Sequence, residues 1–465
     1  MMVRMEEDFA DMQNLLNEVV RECMRFYQNL NQRSAAIQPK AMSMKELPQQ
    51  GMGALSTLET FQNIYAQHLS GSAGSRYLGF VTGGSTPASV IGDWLVSVYD
   101  QNVMGTEDSV AGFIELETIE MLKGLFQLSS EFSGTFVSGA TMANFVGLAL
   151  GRQWVAHQLG INVSQKGLYA LPTIHVAGGA LHSSIHKALS MLGMGKESVH
   201  LIPCLPERES IDIEMLKEFL EEHKGEPCIV IANAGTVNTV DFDDIAAISK
   251  LKNDYSFWLH VDAAFGGFAA CSPSYHHLVQ GWEQADSITI DAHKWLNVPY
   301  DSAMQFTRHK HLQVEVFQNN AAYLGSSIEN PEFVHLTPEN SRRFRALPAW
   351  FTLKAYGQAG YQEVVERNIE TARLLASKLA NSKFFRLVAP TRLNVVCFTL
   401  VTDELTSEII KKFLEILKQD GRIFLTPTIY QGTPAIRAAF SNWRTQPIDV
   451  EIIWNALCEM YGKVK

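Results

Sequence analysis

Ser287-Ile288-Thr289-Ile290-Asp291-Ala292-His293-Lys294-Trp295-Leu296-Asn297-Val298-Pro299-Tyr300 begins as a strand and ends at a Pro-Tyr turn. Ser287 to Ile290 alternates polar and apolar residues, as a strand tip does. Between strand and turn, one lysine stands among a carboxylate, an imidazole and an indole. Burying an ammonium is costly unless it is paired or its pKa falls. A lysine of depressed pKa is a nucleophile that forms Schiff bases with carbonyl groups. A surface lysine after an edge strand has the same local sequence, so the rest of the chain must separate the two readings.

Working outward, strands and helices alternate. Gly134 to Val137 leads through Ser138-Gly139-Ala140-Thr141 into a helix reaching Arg152. Thr173 to His175, Val199 to Ile202, Cys228 to Ala232 and Phe257 to Asp262 are further strand candidates, the first three of them each preceding a helical stretch. Such alternation predicts an α/β domain with a mostly parallel sheet. Upstream, Gly79 to Pro87 is a glycine-rich loop before a helix, and a single amphipathic helix is predicted from about Glu6 to Gln32. After Arg343 a long helical stretch (Pro348 to Leu379) is followed by short strands and two helices, the texture of a smaller α+β domain. The boundaries expected are 1–60 for an N-terminal helical arm, 61–345 for the large domain and 346–465 for the small one.

At 465 residues the chain exceeds one compact core. Its net charge of −11, with no basic block, argues against nucleic acid as a partner. The six cysteines are scattered without a CxxC pair, which suits free thiols in a reducing compartment. No apolar run is long enough to span a bilayer, and the acidic start lacks an apolar signal core. The expectation is a cytoplasmic protein with no membrane partner.

Several segments carry chemistry, each beside a plainer reading. Small residues at 138–141 between strand and helix suit an anion pocket made of backbone amides, or a simple helix start. Thr236 adds a hydroxyl at the carboxyl edge of the sheet, where α/β ligands bind. His182 opens a helix and is either a cap or a ring-stacking group. Asp262 ends a very apolar strand and requires a cation or several donors; a protonated pyridine nitrogen is one such cation. Together with Lys294 these are the parts a pyridoxal phosphate site needs. Gly193 to Lys196 imitates a P-loop but has Ser190 and Glu197 where glycine and Ser/Thr belong. His182 and His186, four apart, could hold zinc with Asp262 or His260, but no glutamate base stands between them. No metal is expected.

Four motifs, Leu181-His182-Ser183-Ser184-Ile185, His260 to Gly267, Asp291 to Leu296 and Arg342 to Leu347, resemble in order and spacing the group II pyridoxal-phosphate decarboxylases of aromatic amino acids, glutamate and histidine. The similarity runs from about Arg76 to the C-terminus. It implies fold type I, like aspartate aminotransferase, and a homodimer with its sites at the interface. It also implies pyridoxal 5'-phosphate as cofactor and decarboxylation of an L-amino acid. By this resemblance Lys294 binds the cofactor's aldehyde, Asp262 partners the ring nitrogen, Ala264 lies beneath the ring and His182 stacks on it. Ala140 and Thr141 hold the phosphate, with Thr236, Asp291 and His293 beside the cofactor.

The substrate pocket is expected to draw on Phe80, Val81, Thr82 and the loop around Phe333, which leans toward a hydrophobic, aromatic side chain. Phe333 falls where decarboxylases of the aromatic branch have a tyrosine that returns a proton to Cα. Relatives with phenylalanine there tend to let oxygen intercept the carbanion, giving an aldehyde, ammonia and peroxide. Tyr323 and His335 are the substitutes near it. An aldehyde-forming oxidative deaminase is therefore an alternative, as is another fold type I carbon–carbon lyase. The non-enzyme alternative is a cofactor-binding protein without turnover.

Overall fold

The apolar runs Cys228–Asn233 and Phe257–Asp262 are buried at every position, because both faces of their sheet are covered, as parallel strands require. The computed structural model describes residues 4–39, 44–319 and 332–464. Its larger sheet has seven strands: β1 (Ser133–Val137), β2 (Val176–Gly178), β3 (Val199–Leu201), β4 (Cys228–Asn233), β5 (Phe257–Asp262), β6 (Ser287–Ile290) and β7 (Ala303–Thr307). Their order is β1-β7-β6-β5-β4-β2-β3. Strands β3, β2, β4, β5 and β6 are parallel, while β7 runs against both β1 and β6. The expected α/β fold with a mostly parallel sheet is present.

Strand β7 has no counterpart in the sequence prediction. The chain leaves β6 through the lysine-bearing turn, with no long helix to cross the sheet, so it returns antiparallel beside it. The strand expected at Thr173 to His175 forms three residues later, as β2.

A second sheet comprises β8 (Phe385–Leu387), β9 (Val395–Leu400), β10 (Thr426–Tyr430) and β11 (Thr433–Ala439), all antiparallel, in the order β10-β11-β9-β8. It has its own apolar core, including Phe398, Phe413 and Leu457. The helix Ala346–Ala380 joins the two cores: Leu353, Val365 and Ile369 lie in the first, Leu375 and Leu379 in the second. Leu78 stitches the segment before the glycine-rich loop onto the second sheet, its N–H donating to Phe424 O and its carbonyl accepting from Ala439 N, both at 2.9 Å.

The N-terminal helix divides into Arg4–Ala10 and Met12–Asn29. Asp11 interrupts it, accepting from Asn14 Nδ2 at 3.1 Å. Neither piece buries a residue, and Met12, Leu16, Val20 and Met24 form an exposed apolar stripe at four-residue spacing. No helix among the described residues is long and apolar enough to cross a membrane.

Candidate active site

Lys294 sits in a π-helical turn, Ala292–Leu296, immediately beyond β6. Such single turns recur at functional sites. Its ammonium pairs with Asp291, Nζ to Oδ2 at 3.4 Å, and lies 5.6 Å from the centre of the Phe265 ring. The partner that a half-buried lysine needs is thus three residues away in sequence. Burial pushes the Asp291 carboxyl up, while Lys294 and His293 pull against it. His293 Nδ1 stands 3.2 Å from Asp291 Oδ1, and burial lowers its pKa against the pull of that carboxylate.

The glycine-rich loop closes over this turn. A Cβ on Gly83 would lie 1.9 Å from the Lys294 carbonyl oxygen, so only glycine permits the approach. The loop thereby brings Phe80, Val81 and Thr82 to the wall of a cavity of about 340 Å³. The same cavity is lined by Ala140, Thr141, His182, Thr236, Asp262 and Ala264, and by Asp291, His293 and Lys294. Residues from five strand ends meet there, at the carboxyl edge of the sheet, where α/β proteins bind ligands.

Asp262 closes β5 and is 6% exposed. Its hydrogen bonds come from neutral donors, Asn144 Nδ2 to Oδ2 at 3.1 Å and Ala264 N to Oδ1 at 3.2 Å. Asn144 Oδ1 accepts from His260 Nε2 at 2.9 Å. His260 Nδ1 then accepts from Ser287 Oγ at 2.7 Å, and Ser287 Oγ accepts from Trp258 Nε1 at 3.0 Å. Burial holds His260 neutral, its pKa down at about 4. Both nitrogens of His260 are committed, which removes it from the zinc alternative. The chain Trp258–Ser287–His260–Asn144 orients Asp262 through a neutral amide.

His182 caps the helix Ser183–Met191, its Nδ1 taking Ser184 N at 3.2 Å and Ser184 Oγ at 2.7 Å. That leaves Nε2 as the protonated nitrogen of a ring that lines the cavity. Burial lowers its pKa, and Asp262 opposes the shift. Thr236 lines the cavity, but its hydroxyl donates to Glu209 Oε2 at 2.6 Å and accepts from Asp241 N at 3.0 Å. These bonds tie the loop after β4 to Glu209.

The residues fit pyridoxal phosphate on three observations. The buried Asp262 has neutral hydrogen-bond donors as partners and faces the cavity. The helix Ala140–Gln158 starts there behind Gly139 with no side-chain cap, so its first amides suit a phosphate. The buried Thr82 Oγ1 has no hydrogen-bond partner.

Three residues escaped the sequence reading. Asn144 lies a turn inside its helix. Tyr300 puts a phenol in the cavity wall, its ring 4.3 Å from that of His293. Arg437, on β11, is 8% exposed and lines the cavity. Its terminal nitrogens donate to Val237 O at 2.6 Å and Gly79 O at 3.2 Å, and its buried Nε has no partner.

Phe333 packs elsewhere in its own chain. It does not line the Lys294 cavity of its own chain. It is buried in the turn Phe333–His335, its ring 4.8 Å from the Arg342 guanidinium, while Val334 N donates to Met104 O at 2.9 Å. Its apolar ring is drawn beneath the buried Arg342–Glu115 ion pair at 2.7 Å. His335 lies in the same turn, its Nδ1 accepting from Asn319 N at 3.1 Å. Tyr323 falls outside the described residues.

Comparison with known proteins agrees with this geometry. The family model described as "Pyridoxal-dependent decarboxylase conserved domain" matches residues 39–401. An aromatic-L-amino-acid decarboxylase of Bacillus atrophaeus is 32% identical over 385 residues, which cover 80% of this chain and 78% of that protein. A phenylacetaldehyde synthase of Petunia hybrida is 28% identical over 302 residues, 60% of this chain and 59% of that one. The crystal structure of Oryza sativa TDC with PLP and tryptamine superposes with a TM-score of 0.90 at 21% identity, covering 98% of both chains, and shows a shared fold.

Proposed function

Because the chain belongs to the pyridoxal-dependent decarboxylase family, we propose that it removes CO2 from an L-amino acid with a hydrophobic, aromatic side chain. The chain is a pyridoxal-phosphate-dependent carboxy-lyase; the substrate class and the residue roles are our assignment. The observation that carries it is the convergence of Lys294, Asp262 and His182 on one cavity beside a helix start.

When bound, pyridoxal phosphate supplies an aldehyde that captures amines covalently and a cationic ring that takes up the electron pair left by departing CO2. We assign Lys294 Nζ to holding that aldehyde, with Asp291 keeping the amine in position. The Ala140 and Thr141 amides hold the phosphate, and Asp262 keeps a proton on the ring nitrogen. Ala264 and His182 would hold the ring and exclude water from it. His293 and the loop at Thr236 border the cofactor.

Arg437 binds the substrate carboxylate through its unpartnered Nε–H. Phe80, Val81 and Phe265 favour an apolar side chain. Tyr300 O–H is the proton source for Cα within the chain.

A screen of L-amino acids scoring CO2, amine, aldehyde and peroxide tests the assignment. Lys294→Ala should lower turnover about a thousandfold or more, roughly 4 kcal/mol at 1.36 per factor of ten. Borohydride should no longer fix the cofactor to that variant. Cofactor colour without turnover of any amino acid would defeat the reading.

Oxidative deamination is the second reading. It rests on phenylalanine at 333 and on the similarity to a phenylacetaldehyde synthase. Peroxide equimolar with CO2 identifies it; amine alone excludes it.

We further propose a cytoplasmic homodimer. The exposed stripe from Met12 to Met24 supports association, and six free thiols support a reducing compartment. The division into residues 1–60, 61–345 and 346–465 is proposed alongside it, supported by the separate core of the second sheet.

A further inference from the structure

His175, His200 and His223 come from three different elements and meet on the surface. His175 immediately precedes β2, His200 is the middle residue of β3, the edge strand of the sheet, and His223 ends the helix Ile213–Glu222. One ligating nitrogen from each ring lies within 4.8 Å of the other two. None of the three lines the Lys294 cavity. His175 enters β2, whereas Ala180 and His182 of the cavity follow it, so the cluster occupies the other end of that strand.

The remaining nitrogens are already committed. His175 Nε2 is 3.1 Å from Glu226 Oε2, and His223 Nδ1 is 2.8 Å from Phe219 O. A carboxylate and a carbonyl accept only, so each of these nitrogens carries the proton of its neutral ring. The lone pairs of His175 and His223 are therefore Nδ1 and Nε2. Carboxylate and carbonyl partners of this kind orient histidines that bind metals.

The spacing also suits a metal. His175 Nδ1 and His200 Nε2 are 3.3 Å apart. Two nitrogens at the usual Zn–N length of about 2.0–2.1 Å in a tetrahedron are separated by roughly 3.3–3.4 Å. Without an ion, two imidazole lone pairs at that distance need a proton between them. The neighbouring cation, Lys224, is occupied by Glu221 at 3.0 Å. His200 is exposed, which leaves the fourth tetrahedral position to water.

We propose that His175, His200 and His223 form a binding site for a divalent transition-metal ion of the zinc type, with Glu226 as a positioning residue. The bound ion ties the edge strand β3 to the end of the helix Ile213–Glu222. The sequence contains no hint of it, because the three histidines are separated by more than twenty residues each and match no ligand spacing.

The test uses the full-length holoenzyme, freed of metal by chelator and titrated with Zn2+ and separately with Co2+. One equivalent of Zn2+ per chain should bind, and Co2+ should show the visible bands of a tetrahedral nitrogen site. His200→Ala and His223→Ala should each abolish that equivalent while keeping cofactor absorbance and turnover. Glu226→Gln should weaken it about 10–100-fold. A wild-type chain that binds no Zn2+, or variants that bind it as the wild type does, would overturn the proposal.

Discussion

Asn144 Nδ2 donates to Asp262 Oδ2 at 3.1 Å, while Asn144 Oδ1 takes a hydrogen bond from His260 Nε2 at 2.9 Å. One amide thus links the carboxylate assigned to the cofactor's ring to a fully buried imidazole. Since the His260–Ser287–Trp258 chain behind it is satisfied at every atom, the amide has one orientation. Replacing Asn144 by Leu removes a hydrogen bond to a charged group, an interaction of about 1.5–3 kcal/mol. Cofactor affinity, followed by absorbance on titration, should fall roughly 10–100-fold. Ser184→Ala, which removes the second acceptor of the same Asn144 amide, should have a smaller effect. Equal affinity in Asn144→Leu and wild type would show that Asp262 does not depend on it.

Gly83 tests the closure of the loop over the lysine turn. An alanine Cβ there meets the Lys294 carbonyl, a backbone atom that cannot swing away. Overpacking of this kind costs about 1–3 kcal/mol or more. Gly83→Ala should lower the unfolding midpoint and raise KM, because Phe80 and Val81 move with the loop. A variant with unchanged KM and midpoint would contradict the close approach.

Arg437 separates substrate binding from the chemical step. Arg437→Met removes the cation with its unpartnered Nε–H and should raise KM roughly 10–100-fold, the worth of a charge-assisted hydrogen bond. Arg437→Lys keeps the charge and should recover part of the loss. If both variants lose kcat alone, the guanidinium is structural, holding Val237 and Gly79.

His260 makes stability depend on pH. Its folded pKa of about 4 lies below the ordinary value of 6.5. Between these values the unfolded chain takes up a proton that the folded chain refuses, so stability present above pH 6.5 is lost as pH falls toward 4. At about 1.4 kcal/mol per pKa unit, the loss is on the order of 3 kcal/mol. Urea unfolding at pH 7 and pH 5 should show a steeper decline for wild type than for His260→Gln. Identical declines would mean that His260 does not titrate in this range.

Lys294, Asp262 and His182 were legible because each stands next to a strand end or helix start, where local patterning marks the position. The alternation of strands and helices likewise foretold the parallel part of the sheet. Strand β7 was not legible, since its direction follows from how the lysine turn redirects the chain. The surroundings of Phe333 were not legible, because counting along a loop cannot register the packing of its ring against Arg342. Asn144, Tyr300 and Arg437 carry no local signal: an asparagine inside a helix, a tyrosine after proline and an arginine on a strand are ordinary anywhere.

The sequence alone determined which chemistry is present. A lysine in a polar cluster, an aspartate ending an apolar strand and small residues before a helix set the cofactor class, because burial and backbone geometry restrict such residues locally. The tertiary structure decided who serves them. Asp291 became the partner of Lys294, Asn144 the support of Asp262, and Arg437 a cation in the cavity wall. Their contacts join β6, β5 and β11 with a helix more than a hundred residues from the strand end it supports. The histidines 175, 200 and 223 met for the same reason. Hydrogen bonds and ligand distances are set by which elements pack together, and residues far apart in sequence show none of that in their spacing.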